Sequence, residues 1–141
     1  MPKVNSILST YLHLDDSGDI RAIPVTESFW QALASDELSE FKAGRLLSAF
    51  SFSEPWSSWE RHPAGEELVM LLTGDATLIL EDASGKQSSI RLHEPGCYVL
   101  IPKNQWHTAI PIQPTTLLFL TQGAGTEHRD FTTKPDPKHL G

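Results

Sequence analysis

Short apolar segments separated by turn residues fill the middle of the chain, from residue 45 to residue 122. Ser88 to His93 alternates polar and apolar side chains, which is the pattern of a strand with one buried face. About eight such segments at close spacing, with glycine and proline between them, are typical of an all-β sandwich or barrel. We therefore predict an all-β fold. The predicted strands are 45–52, 56–62, 67–72, 76–81, 88–93, 97–101, 106–110 and 115–121, with a turn at Gly74-Asp75 among the connections.

The segments on either side of this region have different patterns. Residues 1–25 look irregular or partly extended, and Ser28-Phe29-Trp30-Gln31 has the spacing of a helix capping box. We expect a short helix over 27–39 whose apolar side packs on the outside of the main sheet. The residues from 123 onward carry little apolar surface, which predicts a solvated or partner-docking tail. The chain then divides into an N-terminal extension (1–44), a barrel (45–122) and a C-terminal tail (123–141).

Composition excludes several classes of protein. A chain of 141 residues suits one domain with its own core, and no apolar run approaches the ~20 residues that span a bilayer. The first fifteen residues do not have the pattern of a secretory signal. The net charge of -7 argues against a nucleic-acid partner or an anionic membrane surface. Cys97 is the only cysteine, so neither an intramolecular disulfide nor a multi-cysteine zinc site can form. We expect a cytoplasmic protein.

Two segments carry side chains that bind metal ions. Glu60 and His62 are two residues apart on a predicted strand and share a face, and Glu67 begins the next strand. His107 comes from a strand much later in the chain. Two imidazoles and two carboxylates at one point suit a divalent ion with nitrogen and oxygen ligands, such as Mn, Fe, Ni, Co or Zn. A buried carboxylate is costly unless it is paired or metal-bound, which favours a ligand role if these groups point inward.

The neighbouring tryptophans and the other histidines fall into three groups. Trp56 has the strand parity of the proposed ligands that follow it, so it can line the pocket as a substrate-binding residue. Trp59 and Trp106 each precede a proposed ligand, and parity turns them away from the metal, toward packing in the core or an interface. The remaining histidines, His13 and His128 among them, have no spacing that links them to the group, and we expect them to be exposed.

The first segment resembles the first conserved motif of the cupin superfamily. That motif is a glycine, five residues, His-x-His, three or four residues, Glu, six residues and Gly. The chain matches it at His62, then four residues, Glu67, then six residues and Gly74. Glu60 stands where the first histidine belongs, and Glu54 holds the position of the leading glycine.

The second segment resembles the second cupin motif, which is a glycine, five residues, Pro-x-Gly, two residues, His, three residues and Asn. Gly96, Pro102 and His107 fit this motif with the correct spacing. Asn104 replaces the middle glycine, and asparagine tolerates the left-handed backbone conformation that glycine would adopt. Pro111 replaces the terminal asparagine. The resemblance covers roughly residues 45–122, with a short segment between the motifs, as in the smaller bacterial cupins.

The resemblance implies a double-stranded β-helix, or jelly-roll barrel, and places His62, Glu67 and His107 where three metal ligands belong. Glu60 takes the place of the fourth ligand, and two roles are open for it. Glu60 either ligates the ion, adding a negative charge that favours a harder ion, or stands back from the ion. In the second case the remaining two histidines and one carboxylate form a set that leaves positions open on ferrous iron, and Glu60 is free to act as a general base.

Two functions are consistent with this resemblance. One is a metal-dependent enzyme that acts on a polar, oxygen-bearing small molecule, with dioxygenase-like or isomerase-like chemistry. The other is a non-catalytic barrel that binds or senses a small molecule, with or without a metal. Many cupins pair through outer sheet faces, so we expect a homodimer. No helix-turn-helix segment or basic patch favours a nucleic-acid partner.

Overall fold

The computed structural model describes residues 1–28, 43–122 and 125–137. The described part confirms the predicted all-β fold, whereas the predicted helix at 27–39 lies almost entirely outside it. No helix among the described residues is long and apolar enough to cross a membrane. The strands of the described part are β1 (Thr10–Leu14), β2 (Ile20–Pro24), β3 (Arg45–Phe52), β4 (Trp59–Arg61), β5 (Glu67–Glu81), β6 (Gln87–Leu92), β7 (Tyr98–Ile101), β8 (Trp106–Gln122) and β9 (Glu127–Arg129).

β5 and β8 are the longest strands and form the central antiparallel ladder. This ladder runs from the Leu68–Leu120 pair to the Glu81–Trp106 pair, with register shifts around Gly74. β5 also pairs with β6 and β7, while β8 also pairs with β3 and β4. Irregularities of this kind bend a strand and let it take part in two packed sheets. The two ends of the long ladder therefore have different neighbours around a common interior.

The predicted turn at Gly74-Asp75 was wrong, because β5 continues through it. Gly74 has a φ of 106°, a conformation that glycine adopts readily and other residues rarely. Across the register shift, the Asp75 backbone N–H donates to Thr115 Oγ1 at 3.1 Å. The break expected after residue 110 is likewise absent, and Pro111 and Pro114 lie within β8. Glycine here produces a bulge in a continuous strand and does not reverse the chain.

The apolar core lies between β5, β6, β7 and β8. Alternate residues along the strands point inward, and most of these side chains have almost no solvent exposure. Trp56, Phe52 and Cys97 pack against this core from its margin. The buried cluster consists of Val69, Leu71, Leu78, Leu80, Leu92, Ile101, Ala109, Leu117 and Phe119.

Both ends of the described chain join the sheet. Residues 1–25, expected to be irregular or partly extended, contain the hairpin β1–β2, and β1 pairs with β3. His13 on β1 is buried, with Nε2 2.7 Å from the Ala43 carbonyl oxygen, so the expectation that it is exposed was wrong. The segment after residue 123, expected to be a tail, contributes β9, which pairs with β4. Phe131 just beyond β9 packs edge-on against Trp59 at 5.8 Å.

We expect Gly74→Ala to destabilise the protein by roughly 3 kcal/mol, because the left-handed conformation strains the backbone and the added carbon collides with it. A Cβ at this position would lie 2.5 Å from the Pro114 carbonyl oxygen and 2.6 Å from Thr115 Cα. Gly85→Ala is the matched control, since φ there is 85° but nothing lies within 4 Å of the added atom. Chemical denaturation should show that the control loses only about 1 kcal/mol of unfolding free energy. Equal losses for the two variants would show that the β5 bulge is not closely packed against β8.

Candidate metal centre

Strand pairing brings Glu60, His62, Glu67 and His107 together. Glu60 on β4 is the direct partner of His107 on β8, and His62 follows β4 immediately. Glu67 is the first residue of β5. The Asn104 backbone N–H donates to the His62 carbonyl oxygen at 3.0 Å, and Asn104 has the expected left-handed conformation with a φ of 67°. This hydrogen bond joins the turn before His107 to the end of β4.

The four side chains direct their polar atoms to one point. His62 Nε2 lies 3.0 Å from Glu60 Oε1 and 3.0 Å from Glu67 Oε2. His107 Nε2 lies 2.9 Å from Glu67 Oε1 and 3.9 Å from Glu60 Oε1. One donor atom from each residue lies within 4.8 Å of all the others, so the four form a group that could hold a metal ion.

Three members of the group have almost no contact with solvent. The exposed fractions are 5% for His62, 1% for Glu67 and 0% for His107. Nevertheless His62 Nε2, Glu67 Oε1 and His107 Nε2 have no hydrogen-bond partner among the described residues. Buried polar atoms without partners are rare and costly, and an ion coordinated by all three would supply the missing interaction.

The separations also fit direct coordination of a single divalent ion. Two donor atoms on adjacent corners of an octahedron, each about 2.1 Å from the ion, lie about 3.0 Å from each other. The contacts of His62 with both carboxylates and the contact of His107 with Glu67 have this length. Imidazole nitrogen and carboxylate oxygen together suit first-row divalent metals. The residues present therefore fit such an ion.

The second ring nitrogen of each histidine also has a partner. His107 Nδ1 lies 3.1 Å from the Gln105 carbonyl oxygen, which can only accept, so Nδ1 donates and Nε2 is the nitrogen that faces the cluster. His62 Nδ1 lies 3.0 Å from Thr126 Oγ1. Metal-binding histidines usually donate their other N–H in this way, which fixes the orientation of the ring.

The charges in the group shift the pKa values of its members. Burial lowers the pKa of His62, but the carboxylates of Glu60 and Glu67 outweigh this effect and raise it to about 10. Burial raises the pKa of Glu60, but His128 and His62 outweigh it and hold that pKa well below its usual range. Without an ion, the His62 imidazolium therefore balances part of the negative charge of the two carboxylates.

His128 is the residue near the site that sequence reasoning missed. Its side chain is 61% exposed, as expected, but Nε2 lies 3.3 Å from Glu60 Oε2. The pairing of β9 with β4 produces this contact, since Glu60 and His128 are direct partners. The carboxylate of Glu60 raises the pKa of His128. No spacing in the sequence relates these two residues, because β9 could have paired with any open strand edge.

The tryptophans lie on both sides of the site. The Trp56 ring centroid is 6.2 Å from that of His107 and 5.9 Å from that of Phe119. Its Nε1 is buried without a hydrogen-bond partner in the described part of the chain. Trp59 contacts Phe131 and Arg129, and Trp106 contacts Arg61 and Arg129, so both rings pack against residues outside the cluster.

Comparison with solved structures relates this arrangement to known proteins. Peruvianin-I, a cysteine peptidase from Thevetia peruviana latex, matches with a TM-score of 0.54 and 18% identity, over 63% of this chain and 58% of that one. Oxalate decarboxylase OxdC from Bacillus subtilis matches with a TM-score of 0.52 and 13% identity, over 61% of this chain and 23% of that one.

The fold is the cupin barrel. The chain thus has the predicted jelly-roll architecture, and it spans 58% and 23% of the lengths of the two proteins. No protein-family model matches the chain, and neither does any curated protein sequence. The Bacillus subtilis enzyme has Mn(II) centres. At these levels of identity the likeness shows a shared fold and not a shared activity.

Proposed function

We propose that this chain is a small metal-binding cupin in which Glu60, His62, Glu67 and His107 hold one divalent transition-metal ion. The observation that carries the proposal is the convergence of three buried donor atoms that lack hydrogen-bond partners among the described residues. The Mn(II) centres of the structural neighbour support manganese as the first ion to test. Iron, nickel, cobalt and zinc suit the same donor atoms.

The proposed activity is that of an enzyme acting on a polar, oxygen-bearing small molecule, with dioxygenase-like or isomerase-like chemistry. A divalent ion bound here would polarise an oxygen atom of such a molecule. The neighbouring enzyme acts on oxalate, which supports small carboxylic acids as the first ligands to test. Trp56 would orient the ligand, because its ring lies beside that of His107 and its indole N–H has no acceptor among the described residues.

Glu60 has two possible roles within this proposal. As a ligand it would use Oε1, which lies 3.0 Å from His62 Nε2. As a general base it would use its position at the open side of the cluster, since its side chain is 24% exposed whereas Glu67 is only 2% exposed. The ligand role has the stronger support, because Oε1 belongs to the group of donor atoms that lie within 4.8 Å of one another.

The second candidate function is a non-catalytic barrel that binds or senses a small molecule. It would use the same residues and would leave any bound molecule unchanged. Turnover separates the two functions: metal-loaded protein incubated with small carboxylic acids would consume one of them only if it is an enzyme. The homodimer and the cytoplasmic location expected from the sequence stay predictions.

We expect protein purified without chelator to contain close to one equivalent of transition metal, and His107→Ala to lose at least nine-tenths of it. The variant removes a fully buried donor and leaves Glu67 Oε1 without its neighbour. Metal content by elemental analysis is the measurement. In addition, Mn(II) at about 100 times its dissociation constant should stabilise the parent by about 2.7 kcal/mol in thermal unfolding.

His93→Ala is the control for this experiment, because His93 is exposed and is not part of the cluster. It should keep the metal content of the parent. A parent that is free of metal and gains no stability from any of the five ions would refute the proposed metal site.

We expect Glu60→His to keep the metal or bind it more tightly. The change replaces a carboxylate with a neutral imidazole at a position where the cupin pattern has histidine. Calorimetric titration of the metal-free variant and the metal-free parent with Mn(II) and Zn(II) measures the change in affinity. Loss of both ions would show that the carboxylate at this position has a role that an imidazole cannot fill.

A further inference from the structure

The C-terminal strand β9 reaches two of the four candidate ligands. Register places His128 on β9 and His107 on β8 directly beside Glu60, which lies between them on β4. His128 Nε2 lies 3.3 Å from Glu60 Oε2, and Thr126 Oγ1 lies 3.0 Å from His62 Nδ1. Glu60 Oε1 and His62 Nε2 face into the cluster. The contacted atoms, Glu60 Oε2 and His62 Nδ1, are therefore the ones that face away from it.

The outward side chains of β9 attach this strand to the barrel. The Arg129 guanidinium lies 4.7 Å from the Trp106 ring centroid, and its Nη2 lies 2.9 Å from Glu81 Oε1. Glu127 accepts two hydrogen bonds of 3.2 Å from Arg61. The Arg61 guanidinium also lies 4.5 Å from the Trp106 ring centroid, so one tryptophan contacts both cations. Since Trp106 directly precedes His107, these contacts lie on the opposite face of the strands that carry the cluster.

We propose that residues Thr126–Arg129, here called the clasp, are a positioning element that holds Glu60 and His62 ready to bind the metal ion. The inference rests on the proposed function, because it concerns the same site. Thr126 fixes the orientation of the His62 ring by accepting a hydrogen bond from Nδ1 when Nε2 binds the ion. His128 engages one oxygen of Glu60 and leaves the other directed toward the cluster.

The clasp also accounts for a carboxylate at position 60. A histidine ligand needs only one further partner, a hydrogen-bond acceptor for its second ring nitrogen. A carboxylate that gives one oxygen to the ion leaves a second anionic oxygen, which at Glu60 is partly shielded from water. His128 supplies a donor for that oxygen, so the carboxylate can bind through a single oxygen without an unpaired charge.

The first test compares Mn(II) binding to Thr126→Val and Thr126→Ser. Valine has nearly the shape of threonine but no hydroxyl, whereas serine keeps the hydroxyl. Removing partners of metal ligands typically weakens metal binding by about 10–100-fold. We expect at least a tenfold loss of affinity for valine and a loss of less than about threefold for serine, measured by titration of the free Mn(II) signal in electron paramagnetic resonance.

The second test uses His128→Ala and follows the spectrum of bound Mn(II). Without His128 the Glu60 carboxylate can rotate or bind through both oxygens, so we expect about tenfold weaker binding and a changed line shape of the bound ion. His128 and Thr126 are exposed, so thermal unfolding of the metal-free variants should stay close to that of the parent. A residue with a merely structural role would instead lower the unfolding temperature and leave the spectrum unchanged.

The third test loosens the clasp from the outer face without changing any residue that contacts a ligand. Arg129→Ala removes the contacts with Trp106 and Glu81, and we expect it to weaken Mn(II) binding severalfold. Arg91→Ala is the matched control, because Arg91 makes a similar ion pair, at 2.6 Å from Asp75, on the distant strand β6. The control should bind Mn(II) as the parent does.

The outcomes separate the two proposals. A parent that binds no Mn(II) refutes the proposed metal site and the clasp together. If Thr126→Val, His128→Ala and Arg129→Ala all bind Mn(II) as tightly as the parent, the clasp is refuted and the metal site stays intact. Equal losses for Thr126→Val and Thr126→Ser would also refute the role assigned to the hydroxyl.

Discussion

The site depends on one constraint: buried polar atoms that have no hydrogen-bond partner among the described residues. His62, Glu67 and His107 are buried, and an uncompensated carboxylate or imidazole is costly away from water. The protein balances this cost partly by ionic attraction, since His62 lies at 3.0 Å from two carboxylates. Even so, His62 Nε2, Glu67 Oε1 and His107 Nε2 have no hydrogen-bond partner in the described part of the chain. A cation at their centre would interact with all of them at once, as the proposed metal site requires.

The local part of this arrangement could be predicted from the sequence. Short apolar segments and the alternation at 88–93 predicted the strands of the barrel, and the spacings from His62 to Glu67 and Gly74 placed two donors at the ends of consecutive strands. Asn104 is an example: the sequence predicted a left-handed backbone conformation at this position, and its φ is 67°. These features depend on neighbours in the chain, so a local pattern contains the information.

The features that sequence reasoning missed depend on pairing between distant segments. Gly74 was read as a turn because a glycine next to an aspartate favours reversal, but the ladder with β8 continues through it. His13 was expected at the surface, yet the pairing of β1 with β3 buries it. β9 is only three residues long, too short to show a periodicity, and its place beside β4 brings His128 to Glu60. Long-range strand pairing is chosen by the whole sheet, so no window of sequence could have given these contacts.

The alternation of side chains across β4, β8 and β9 gives these strands two different faces. The inner face carries Glu60, His107 and His128, and the outer face carries cations stacked on Trp106. Because both faces belong to the same backbone, an outer contact that fixes the register of β9 also fixes the position of the inner side chains. A slip of one residue would turn His128 outward and bring a neighbouring residue to Glu60. The surface ion pairs are individually weak, so their value here lies in selecting this register more than in adding stability.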